Sequence, residues 1–117
     1  MRITIKNPLV RDRVQERSGF TVNPYFWDDT TLPWTANTPT TVDYRLDCLA
    51  TGANLIGWTT VTPGTTVAIA IPSANNAIQS DLNPYEMKQL TVRINANLTT
   101  QYQTAMQYQV DNLFGQT

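Results

Sequence analysis

Hydrophobic and polar residues alternate along much of the chain beyond Phe20. In an extended strand successive side chains point to opposite faces, so a period of two predicts sheet. Val42, Tyr44, Leu46, Cys48 and Ala50 share one parity and Asp43, Arg45 and Asp47 the other, which predicts a strand there. Residues 88–97 repeat the pattern with Leu90, Val92, Ile94 and Ala96 on one face. Residues 101–111 do so with Tyr102, Thr104, Met106, Tyr108 and Val110 opposite Gln103, Gln107 and Gln109. Shorter strands are expected at Phe20–Val22, which Asn23-Pro24 bends or confines to an edge, at 55–61, with Ile56, Trp58 and Thr60 on one side, and at 65–71. Turn chemistry separates them at Thr51-Gly52-Ala53-Asn54, Thr62-Pro63-Gly64 and Asn97-Leu98-Thr99-Thr100. Residues 28–40 read as a long loop or meandering edge. Residues 73–84 read as a polar crossing anchored by Ile78 and Leu82.

About seven short strands with Pro, Gly and Asn turns predict an all-β fold, an antiparallel two-sheet sandwich. By analogy with immunoglobulin and fibronectin type III domains, Trp58 is expected at the centre of the core. Tyr85 stands where a tyrosine corner would bond back to the chain.

Charge alters the picture at the amino-terminal end. Residues 1–18 carry Arg2, Lys6, Arg11, Arg13 and Arg17 against Asp12 and Glu16, a balance of +3, so the rest of this chain of net charge −1 is mildly acidic. We read residues 1–19 as an extended basic arm and 20–117 as the sandwich domain. Arg2-Ile3-Thr4-Ile5-Lys6 alternates as a short strand, Pro8 interrupts it, and residues 9–17 are expected to form a helical turn or two against a partner. Two readings stand for the arm. One is a solvated terminus. The other is a clamp that orders on an acidic neighbour, with Arg2, Ile3, Ile5, Lys6, Arg11, Arg13 and Arg17 as its contact residues.

Composition removes several function classes. The 117 residues include 19 Thr, 10 Asn, 8 Gln and 3 Ser, no His and one Cys, so imidazole-based triads, four-ligand zinc sites and an internal disulfide are excluded within one chain. A pI near 5.1 argues against general nucleic-acid binding. No apolar run is long enough to span a membrane as a helix, and the opening residues do not resemble a signal peptide, so synthesis in a cytoplasm is expected. Cys48 reads as a small buried hydrophobe. Asp28-Asp29 reads as loop and turn chemistry, because no calcium-loop spacing surrounds it. Tyr25, Phe26, Trp27 and Trp34 are candidate interface aromatics. They suit the domain's own core or a subunit contact, with sugar stacking as the alternative. Asn97-Leu98-Thr99 matches a glycosylation pattern that means little without secretion. No catalytic residue, metal or cofactor is expected.

Three stretches, TVDYRLDCLATGANLIGWTTV, AIAIPSANNAIQSDLNPYEMKQLTV and TTQYQTAMQYQVDNL, resemble small immunoglobulin-like or fibronectin-like virion proteins of tailed bacteriophages. The resemblance runs from Pro39 to Leu113 and contains no catalytic motif. It implies a structural virion component made in a bacterial cytoplasm. The expected role is a capsid decoration or cement protein, a dimer or trimer bound to the major capsid protein on the outer surface of the shell. A neck or tail accessory and a carbohydrate-binding host-attachment module are the alternatives.

Overall fold

The computed structural model describes residues 2–6, 8–9, 12–30, 32–78 and 84–112. Within them lie β1 (Arg2–Lys6), β2 (Arg13–Gln15), β3 (Phe20–Asp28), β4 (Thr35–Ala36), β5 (Val42–Cys48), β6 (Asn54–Val61), β7 (Ile69–Ile71), β8 (Tyr85–Ile94) and β9 (Tyr102–Asp111), with a 3-10 turn at Ser73–Asn76. The fold is all-β. One sheet is built on β3, flanked by β1 on one side and by β4 and β7 on the other. The second runs β2-β9-β8-β5-β6. Leu82 lies outside the described residues.

The three most regular sequence patterns form the middle of the second sheet. Val42, Leu46 and Cys48 of β5, Leu90, Val92 and Ile94 of β8, and Tyr108 and Val110 of β9 are fully buried. Val22, Phe26, Ile69 and Ile71 of the first sheet join the same core. The glutamines on the other face of β9 are displayed as expected, with Gln107 donating to Gln89 across the β8–β9 pair at 3.1 Å.

The amino-terminal segment, expected as an extended arm, contributes a strand to each sheet. Arg2–Lys6 pairs with Trp27–Asn23 over five consecutive positions. Ile3 is buried in the core and Ile5 packs against it. Residues 13–15, expected in a helical turn, form β2 and pair with Gln109–Asp111 of β9. This pair is parallel, so the second sheet is mixed where an antiparallel one was expected. The chain reverses its allegiance after β1 and closes the opposite sheet. Ile3 and Val14 bury better within the domain than they could on a solvated tail.

Two local devices explain further departures. Pro24 does not end its strand, because β3 runs on to Asp28. In the ladder with β1 its missing N–H falls at a position that makes no bond. On the other side Val67 donates to Pro24 O at 3.3 Å and the reciprocal bond is simply omitted. Trp58 is not the core tryptophan. Thr59 stands opposite Tyr44 and Ile56 opposite Leu46, so Gly57 and Trp58 together face Arg45 alone. This bulge reverses the parity of β6. Ile56 packs on the core while Trp58 is 39% exposed on the outer face. Tyr85 is 52% exposed at the start of β8, and the deeply buried tyrosine bonded to a loop side chain is Tyr108.

Candidate functional site

The aromatic group, expected in the domain's own core or at a subunit contact, divides between core and surface. Alternation in β3 sends Phe26 fully inside and leaves Tyr25 and Trp27 half-buried. Trp34 lies in the β3–β4 connection, 44% exposed, with the Arg2 guanidinium 4.5 Å from its ring centre. Arg2 also meets Asp29 at 3.2 Å. Leu32 in the same connection is 88% exposed. An apolar side chain, an indole and a guanidinium thus share one end of the domain. Asp28 accepts from the Thr30 hydroxyl at 2.6 Å and from the Thr30 N–H at 2.9 Å, which hold its carboxyl below the usual range. The role is turn capping, as the sequence suggested. No group of three or more metal-ligating side chains occurs among the described residues.

The remaining basic residues are distributed through the body. Arg13 makes a bidentate pair with Asp111, both contacts at 3.0 Å. Arg17 takes a left-handed backbone conformation, φ 60°, and gives its N–H to Asn76 O at 2.9 Å. Lys6 pairs through its backbone opposite Asn23. Arg11 lies outside the described residues. The Arg13 hydrogen bonds hold the Asp111 carboxyl below its usual range, against the opposing effect of burial. Because the folded value lies below the unfolded one of about 4, the stabilisation is complete above that pH and is lost as pH falls through the folded value. The thermal midpoint of Asp111→Asn is therefore expected to lie below wild type at neutral pH and to converge on it in acid. An undiminished gap in acid would assign the loss to something other than this carboxylate.

Two arrangements were not anticipated from the sequence. On the outer face of the second sheet, Trp58 is stacked by Arg93 at 3.9 Å and approached by Arg45 at 5.5 Å. Asp43 anchors Arg93 at 2.9 Å and accepts from Thr60 at 2.7 Å, and Asp47 anchors Arg45 at 2.8 Å. The bulge that turned Trp58 outward created this stack. Parity counted from an unbulged strand could not find it.

The second is a buried polar cluster. Glu86, Lys88, Asn76 and Tyr108 are each 1% exposed or less. Tyr108 donates to Asn76 Oδ1 at 2.6 Å, Asn76 Nδ2 donates to Ser18 O at 2.6 Å, and Lys88 Nζ donates to Ala77 O at 3.0 Å. Cys48 Sγ lies 3.9 Å from Glu86 Oε1. Burial keeps the Lys88 ammonium below its usual range and raises the Tyr108 phenol. The signal was present in the sequence, because Glu86 and Lys88 share parity with Leu90, Val92 and Ile94. Neither family models, nor curated proteins, nor solved structures give a significant match to this chain.

Proposed function

We propose that the chain is an immunoglobulin-like sandwich serving as a structural component of a tailed-phage virion, a decoration or cement protein on the outside of the capsid. Strand order supports the fold assignment. β5, β8 and β9 correspond to the C, F and G strands, β6 to C′, and β1, β3 and β7 to A, B and E. The resemblance of residues 39–113 to small virion proteins supports the setting. Catalysis and a cofactor have no part in this reading.

The observation that carries the contact role is the exposed loop bearing Leu32 and Trp34, with Arg2 behind the indole. Tryptophan and arginine are enriched among the residues that dominate the energetics of protein interfaces, and Leu32 beside them adds apolar surface that a partner can cover. The partner is the major capsid protein, met by this end of a dimer or trimer that matches a symmetric site on the shell. A protein that binds only assembled shell stabilises it by mass action.

Co-sedimentation of the purified protein with empty expanded shells tests the proposal. Binding is expected to saturate in proportion to the shell lattice, and Leu32→Asp with Trp34→Ala is expected to weaken it roughly 30-fold or more, the size of a hot-spot loss near 2 kcal/mol. Undiminished binding by that variant would place the contact elsewhere. A few copies at one vertex would indicate the neck or tail. For the glycan alternative, placed by the sequence on the aromatic group, the structure offers a different groove of about 380 Å³, lined by Asp28, Thr30, Asn37, Asn95, Gln101 and the half-exposed Tyr102. A glycan array response abolished by Tyr102→Ala would favour it.

A further inference from the structure

We propose that Lys88 and Asn76 are joined by an amide bond formed within the folded core. The Lys88 amine displaces ammonia from the Asn76 carboxamide, with Glu86 relaying the proton. The inference does not depend on placement in a virion.

The geometry supplies each component. Lys88 and Tyr108 are direct partners across the β8–β9 ladder, so their side chains enter the core together. Tyr108 reaches Asn76 Oδ1 and Lys88 reaches the carbonyl of the next residue, Ala77. Amine and carboxamide thus converge on one short turn. Both residues are fully buried, which excludes the water that would compete as a nucleophile. Holding the reactants together in one fold replaces an encounter in solution. Glu86, two positions from Lys88 on the same face, is 1% exposed.

The step balances without a further reactant. Burial favours the neutral amine, whose lone pair attacks Asn76 Cγ. Negative charge develops on Oδ1, where the Tyr108 hydroxyl already donates. Glu86 takes a proton from Nζ and returns it to Nδ2. The Cγ–Nδ2 bond breaks, the Nζ–Cγ bond remains, and one ammonia leaves. The product ties β8 of the second sheet to the turn that follows β7 of the first.

Mass spectrometry of the intact full-length protein, refolded and held at neutral pH, provides the test. The expected mass is about 17 Da below that of the sequence, the mass of one ammonia. Trypsin is expected to leave Lys88 uncut, so one peptide runs from Leu46 to Arg93 with the same deficit. Lys88→Met, Asn76→Ala and Glu86→Gln are each expected at full mass. Wild-type protein at full mass and cleaved after Lys88 would overturn the proposal, whether or not the variants fold. A deficit with cleavage retained would also overturn it, since cyclisation of Asn76 onto its own backbone loses ammonia but leaves Lys88 open. A linked Glu86→Gln protein would overturn the relay assigned to Glu86.

Discussion

Removal of residues 1–18 is expected to abolish cooperative folding. A basic arm could be cut away with effects confined to partner binding, but this segment supplies β1 and β2, one edge of each sheet. Truncation deletes a five-position ladder, withdraws Ile3 from the core and leaves Asp111 without Arg13. Burial of one such aliphatic side chain contributes about 1.5–3 kcal/mol, and each intramolecular hydrogen bond roughly 0.5–1.5 kcal/mol. Together these approach the whole stability of an ordinary domain, about 5–15 kcal/mol. The newly bared edges of β3 and β9 would also invite pairing between chains. Circular dichroism and urea melts of the truncated protein are expected to show no cooperative transition, accompanied by aggregation. A truncated monomer that melts like the full chain would restore the arm.

Phe26→Ala is expected to cost about 3–5 kcal/mol, the range for deleting a fully buried aromatic side chain. Phe26 is completely buried in the second half of β3. Its N–H donates to Thr65 O at 3.0 Å and its carbonyl accepts from Asn37 at 2.9 Å. The backbone is therefore held in place, and little can collapse into the vacated volume. The urea midpoint should fall by roughly 2 M or more. Trp34→Ala provides the contrast. Although the larger side chain is removed, it is 44% exposed and its loss is expected to shift stability by about 1 kcal/mol or less. Equal losses from the two substitutions would contradict this division of the aromatic group into core and surface.

The central strands were legible because they are long and unbroken. In β5, β8 and β9 two-residue periodicity identified Val42, Leu46, Leu90, Val92, Tyr108 and Val110 as inward-facing, and all are fully buried. Legibility failed where one residue changed the count. At Gly57-Trp58 the bulge reversed every later parity in β6, and a glycine inside a strand was the available hint. At the amino terminus five cations drew attention to charge, although Ile3 and Ile5 already alternated like a strand. Their partner lies beyond Val22, where Asn23-Pro24 reads as a bend or an edge, so the continuation of β3 over residues 23–27 that β1 joins was not visible. Of the interface candidates, the sequence brought Trp34 and Arg2 to notice separately but could not show that the indole and guanidinium meet. Glu86 and Lys88 were overlooked for a chemical reason. Their parity pointed inward, but charged side chains are seldom buried, so polarity prevailed over position.

The parallel pair between β2 and β9 bears on the order of folding during synthesis. Arg13 and Asp111, which clasp each other, lie 98 positions apart. Contacts this distant in sequence close slowly, because a long loop must be ordered before they form. On a ribosome the first strands emerge early, yet the second sheet lacks an edge until its last strand has been made. Completion of the domain must therefore await synthesis of β9, and β3 waits with it in a half-built core.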